Sequence, residues 1–193
     1  MNLGRVLGRQ KQPQAASPAV PAVDKPVETT KIEETFKEHY ALLVPYSYAA
    51  IVEDEKKDLS YALLEPTLTP VDEAWVNEIK NMLWDELFIN SQDFRTKEDA
   101  EEFLKIKVEE TTKKYKIRID TNTLGKYQYY ITRDFLNFAK IDGMMRDENI
   151  EDISCDGVEI PVFVWHRKYE SIPTNIVFRT PEELENFIFK IAY

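Results

Sequence analysis

Long apolar runs, glycine, cysteine and basic charge are all scarce in this sequence. The longest apolar stretch, ALLVPYSYAAIV at 41–52, is broken by Pro45 and falls short of the ~20 residues that a membrane-spanning helix needs. The first residues, MNLGRVLGRQKQ, lack the apolar core of a secretory signal. Leu3, Val6 and Leu7 with Arg5 and Arg9 make at most one basic amphipathic turn, open to a plain tail or to a weak contact with anionic lipid. Five glycines leave little material for phosphate-cradling loops. The single cysteine, Cys155, excludes an internal disulfide and points to a reducing compartment. With 25 basic against 35 acidic side chains, a net charge of −10 and a pI near 4.8, the chain lacks the basic footprint of a broad nucleic-acid binder.

What is present is a chain of 193 residues, 43% apolar and 12% aromatic, enough for one core or two small ones. Residues 1–31 stand apart. They hold four of the ten prolines (Pro13, Pro18, Pro21, Pro26), with five basic and two acidic side chains, which leaves the remainder at −13. Such a stretch cannot bury enough surface to offset its ordering entropy. It reads as a flexible basic leader on an acidic body.

Beyond it, VPYSYAAIVED and LSYALLEP read as two strands joined by the charged turn DEKKD. Thr69-Pro70-Val71-Asp72 is a capping signature with proline in the first helical position. The helix that follows spaces Trp75, Ile79, Met82 and Leu83 by three or four; Trp84 and Phe88 lie off that stripe, which predicts burial on two sides. Thr96 to Asp99 repeats the cap, and Ala100, Phe103, Leu104, Val108, Thr111 and Tyr115 line one face of a second helix. A third runs from about Thr123 to Lys140 on Leu124, Tyr127, Ile131, Phe135 and Phe138.

The period then changes. Strand-like runs at 150–155, 161–167 and 172–178, with turns at Asp156-Gly157 and Glu170-Ser171, predict an antiparallel meander. Val162, Val164 and His166 share one face, and Phe163, Trp165 and Arg167 the other. Thr180-Pro181-Glu182-Glu183 caps a last helix carrying Leu184, Phe187, Ile188 and Ile191. That helix is still running at Tyr193, which suggests a chain that continues.

The expected class is therefore α+β. A helical bundle with a β-hairpin (32–145) precedes a small antiparallel sheet with a flanking helix (146–193). The pattern leaves the hairpin free to join that sheet or to stand apart from it.

Most chemistries find no constellation. TLGKYQ at 123–128 has Gly125-Lys126 but lacks the earlier glycine and the Ser/Thr of a phosphate loop, so it reads as ordinary helix. Cys155 with His166 is a formal nucleophile pair, though an alternating strand predicts a small buried thiol. Asp152, Asp156, Glu159 and His166 show no metal-ligand spacing, and in a chain this acidic a carboxylate pair carries no glycosidase signal. The runs EDEKKD and EDAEEF read as solvated turns and faces. The basic set Arg146, Arg167, Lys168 and Arg179 is more informative. It suits either rim charges balancing an acidic body or an anion site, including an arginine acting on a phosphoryl group from a neighbouring subunit.

The segment DENIEDISCDGVEIPVFVWHRKYESIPTNIVF, followed by PEELENFIFKIA, resembles the N-terminal region of archaeal secretion ATPases, the hexameric motors of type II/type IV secretion, type IV pilus and archaellum assembly. Their pattern is D-x-x-IEDI-x-x-DG, then V-x-V-x-HRKY, then TNI-x-F and a helix. Ile150 to Asp152, Asp156-Gly157, His166 to Tyr169 and Thr174 to Phe178 match it. YALLEPTLTPVDEAWVNEI resembles the family's Y-x-x-x-EP-x-L-T segment. The likeness covers about 38–193.

The resemblance implies an N-domain that closes over nucleotide in a homo-hexamer, contacts its own catalytic domain and neighbouring subunits, and relays motion to a membrane platform protein. It implies a cytoplasmic place, peripheral at the membrane. ATP and magnesium belong to the family's catalytic half; no Walker motif or other cofactor site is found in this chain, which is expected to be inactive alone. Arg167 and Lys168 are the first candidates for contact with nucleotide or a neighbouring subunit, Arg146 and Arg179 the second, and His166 and Tyr169 would orient that strand end. A non-enzymatic adaptor of a membrane-associated secretion complex is the competing reading. An independent enzyme built on Cys155 or a carboxylate pair is the third.

Overall fold

The computed structural model describes residues 35–90, 94 and 96–192; the leader expected at 1–31 lies outside them. Residues 34–193 cluster as one compact unit. The fold is α+β. Three strands come first: β1 (Thr35–Leu43), β2 (Ser47–Glu53) and β3 (Leu59–Leu64). Three helices follow: α1 (Pro70–Asn90), α2 (Lys97–Lys114) and α3 (Thr121–Leu136). A 3-10 turn at Ala139–Ile141 leads into the short α4 (Asp142–Met145). The strands β4 (Ile150–Ser154), β5 (Pro161–His166) and β6 (Glu170–Val177) precede α5 (Pro181–Ala192).

The hairpin and the meander are parts of one six-stranded mixed sheet, in the order β1-β2-β3-β6-β5-β4. All neighbours are antiparallel except β3 and β6, which run parallel and pair at Tyr61 and Thr174. The Asn175 carboxamide extends this seam. Its Oδ1 accepts from the Leu63 N–H (2.8 Å) and its Nδ2 donates to the Leu63 carbonyl (2.9 Å), so a side chain stands in for a ladder peptide. The small antiparallel sheet expected at the C-terminus is thus half of a larger one. Each part alone would leave a backbone edge and an apolar face uncovered. The sheet is curled: Glu38 on β1 accepts from Lys168 and Tyr169 in the β5–β6 turn, across strands that are not neighbours.

Capping residues set the starts of α1, α2 and α5 as the sequence predicts, while α3 starts at Thr121 under Asp120, a cap not foreseen. Thr96 and Asp99 form a reciprocal capping box, and Thr69 and Asp72 repeat it. At α5 the Thr180 hydroxyl accepts from the Glu183 N–H, while the Glu183 carboxylate reaches one residue further back, to the Arg179 N–H. In α1, Val76, Ile79 and Leu83 are buried, but Trp84 is 65% exposed, so the expected second buried face is not built there; the Phe88 side chain lies outside the description. In α2, Ala100, Leu104, Val108 and Thr112 are buried while Tyr115 at the C-cap is exposed.

The third helix stops earlier than its apolar spacing predicts. Asn137 leaves helical dihedrals (φ −118°, ψ −161°) and Ala139 turns left-handed (φ 49°). Phe138 is exposed in consequence. The chain bends there so that Ile141 and Met144 enter the core of the sheet. Gly143 makes that approach possible: a β-carbon on it would sit 2.4 Å from Leu63 Cδ1 and 2.7 Å from Ser47 Oγ.

Two cores result. One lies within the curl and includes Ile51, Tyr61, Leu63, Met144, Val162, Val164, Phe178 and Phe187. The other joins the helices through Val76, Ile79, Leu83, Leu104, Val108, Tyr127 and Ile131.

Candidate functional site

Strand alternation turns Val162, Val164 and His166 of β5 inward, where all three are buried. From β3 the same periodicity sends Tyr61 inward, and the loop after α4 delivers Asp147. These meet at one carboxylate. Asp147 Oδ2 accepts the hydroxyls of Tyr40 (2.7 Å) and Tyr61 (2.9 Å), and Oδ1 accepts the Asn149 N–H (2.9 Å) and side-chain amide (3.0 Å). Burial, reinforced by the adjacent carboxylate, pushes both phenols well above their ordinary range. A buried charge is tolerable when four donors satisfy it.

His166 lies beside this carboxylate. Its Nδ1 accepts from the Lys168 N–H (3.1 Å), its ring packs against Tyr169 with centroids 5.0 Å apart, and its buried Nε2 has no hydrogen-bond partner among the described residues. Burial pushes its pKa below the ordinary imidazole value, against the opposing pull of Asp147 and Glu38. By accepting through Nδ1, the imidazole pins the turn that carries Arg167 and Lys168. Glu170 opens β6 with a left-handed φ of 59°, which places the reversal at residues 167–169, not at Glu170-Ser171 as expected.

The basic candidates do not converge. Arg167 is exposed and donates to Glu151 (3.2 Å). Lys168 is exposed and paired with Glu38, whose carboxyl is held below its usual value by the bonds from Lys168 and Tyr169. Arg146, after α4, pairs with the buried Asp142 (2.9 Å). Arg179 lies at the other end of β6 from the turn, and its guanidinium has no ion pair among the described residues. Gly125-Lys126 lies within α3, where the backbone amides serve the helix and Lys126 donates to the Thr67 carbonyl (3.0 Å). Dispersed in this way, these donors form no single phosphate cradle among the described residues.

Cys155 is exposed, against the expected buried thiol, because β4 ends at Ser154. It lies at the opposite end of β4 from Ile150, the residue paired with His166. Among the described residues no group of His, Cys, Asp or Glu could hold a metal ion.

A second polar network was missed by the sequence reading. Arg133 is buried on α3 and donates to Glu65 at the end of β3 (2.6 Å) and to Asp134 (2.8 Å), while Lys80 of α1 donates to Asp134 (2.7 Å). Tyr129 adds a bond to Glu65 (2.6 Å) and Tyr130 one to the Pro66 carbonyl (2.6 Å). Burial works against the Asp134 anion, yet Arg133 and Lys80 hold its pKa below the usual carboxylate value. The EP pair of the sequence motif is thus where the helices grip the sheet. Only the E-P dipeptide itself hinted at this, since tyrosine and arginine on a helix carry no distinctive spacing.

No family model matches the chain. Over 137 residues, 71% of its length, the chain is 37% identical to the uncharacterized protein MJ1288 of Methanocaldococcus jannaschii. The match covers 54% of that protein, so the chain spans about half the length of this curated relative. Among the described residues no helix is long and apolar enough to cross a membrane.

Proposed function

We propose that this chain is the N-terminal region of a hexameric secretion, pilus or archaellum assembly ATPase. In this reading it covers the nucleotide held by a catalytic half and relays movement to a membrane platform protein from the cytoplasmic side. Helices α1–α3 act as a bundle subdomain, and the sheet that joins hairpin and meander, with α5, begins the nucleotide-covering part. One observation carries the proposal. Residues of the two motif segments, Tyr61 from one and Asp147, His166 and Tyr169 from the other, meet in a single buried cluster. That supports motif residues that serve the shape of a domain rather than bond breaking.

The β5–β6 turn is the part best placed to reach outward. Arg167 and Lys168 would exchange Glu151 and Glu38 for phosphate oxygens or a neighbouring subunit's carboxylates, with His166 and Tyr169 fixing the turn and Arg146 and Arg179 as secondary contacts. Such a donor, brought to a closed site, stabilises charge on a transferring phosphoryl group.

The chain mixed with MgATP should release no phosphate; sustained turnover by the chain alone would overturn the reading. In the protein that carries the catalytic half, Arg167→Ala should lower the ATPase rate. An unchanged rate and nucleotide affinity would favour the second reading, an interaction adaptor. That alternative draws on α5, whose Ile188, Phe189 and Ile191 are all at least half exposed.

A further inference from the structure

Between α1 and α5 lies a cleft of about 1630 Å³, floored by the end of α3. Its two walls each present a large aromatic to solvent, Trp84 at 65% exposure and Phe189 at 63%. Exposed apolar side chains gathered in one concavity mark an interaction site more often than scattered ones do.

The charges in this cleft are unevenly satisfied. Lys80 pairs with Asp134, Arg133 with Glu65 and Lys140 with Glu183. Lys190 has no carboxylate partner among the described residues; its ammonium donates to the Phe135 carbonyl (3.0 Å). It is half-buried beside Phe135, whose ring meets Trp84 at 5.8 Å. Burial pushes its pKa below the ordinary lysine value. A partly desolvated cation with two unused donors is stabilised by an incoming anion. At the rim, Glu73 and Glu182 are exposed and carry no ion pair among the described residues.

We infer that this cleft receives an amphipathic helix of a partner protein, with an apolar stripe against Trp84, Phe135 and Phe189, one carboxylate within that stripe on Lys190, and basic residues on its flanks facing Glu73 and Glu182. A groove between two helices is the shape that takes a third. A bilayer surface fits less well: the site is concave, and the −13 carried by residues 32–193 repels anionic headgroups. The inference goes beyond the motor reading and does not depend on it.

The test uses the full chain and a synthetic peptide of about 20 residues, long enough to hold a helix. The peptide is built from Leu, Ala and Lys, with a single Glu in its leucine stripe. Calorimetric titration should show binding that weakens about tenfold when the peptide Glu becomes Gln, and similarly with Lys190→Glu. Pairing Lys190→Glu with a peptide bearing Lys at that position should restore it. Trp84→Ala, at an exposed position that leaves the fold intact by circular dichroism, should also weaken binding. Equal affinity across all these pairs would overturn the proposal. So would binding to vesicles of anionic phospholipid that requires Trp84 and Lys190 while the peptide does not bind.

Discussion

Replacing Asp147 by asparagine changes little in shape and removes the charge on which four donors converge. Asparagine keeps one acceptor oxygen. Turned toward Asn149, that oxygen preserves two bonds and sets the new amide against Tyr40 and Tyr61, whose hydroxyl protons lose their acceptor. A buried donor left unsatisfied costs about 1–3 kcal/mol. With Tyr61 fully buried and Tyr40 half-buried, the second loss is the smaller, and the pair puts Asp147→Asn at roughly 2–5 kcal/mol of lost stability. Tyr61→Phe removes one donor and leaves the carboxylate three, so it should cost about 1–2 kcal/mol. In the double variant only Tyr40 is orphaned, and the total loss should fall about 1 kcal/mol or more short of the sum. Urea unfolding followed by circular dichroism reads this as midpoint shifts at constant slope. Strict additivity, or an Asp147→Asn loss no larger than that of Tyr61→Phe, would refute the idea that the carboxylate is a shared acceptor.

Three further outcomes follow from the same geometry. Gly143→Ala should destabilise by about 1–3 kcal/mol despite better helix propensity, because its β-carbon meets buried Leu63; an unchanged thermal midpoint would contradict that. Asn175→Ala removes both the acceptor of the Leu63 N–H and the donor to its carbonyl, so amide exchange at Leu63 should quicken while β2 amides stay protected; uniform protection would count against the seam. Because the folded-state pKa of His166 is depressed, its contribution is fully present above the unfolded value of about 6.5 and is lost as pH falls from there through the folded value. His166→Gln should therefore flatten the fall in stability just below pH ~6.5, and an identical slope would exclude His166 as its source.

The sequence pattern revealed secondary structure better than assembly. The inward positions of Val162, Val164 and His166 follow from strand periodicity, and the starts of α1, α2 and α5 follow from Thr-x-x-acid caps. β1 carries no clean alternation: its pairing with β2 shifts register between Phe36 and Glu38 and again between Ala41 and Leu43, and the run was not recognised as a strand. The premature end of α3 was hidden because Phe138 continued a helical spacing by coincidence. Asp147 was invisible as a hub, since one aspartate among 35 acidic residues gains its meaning only from tyrosines that fold brings together. The basic residues were found, but their carboxylate partners, Glu38 and Glu151, come from distant or opposite strands that local spacing cannot match.

The hydroxyl of Tyr40 reaches a carboxylate 107 positions further along the chain. Closing so long a loop is entropically expensive, and the reward arrives only when both ends are already in register. The early strands and the late ones should therefore gain their stability together, in one slow cooperative step. A protein cut between β3 and β4 should lose the order of its sheet in both pieces, yet recover it when the two are mixed.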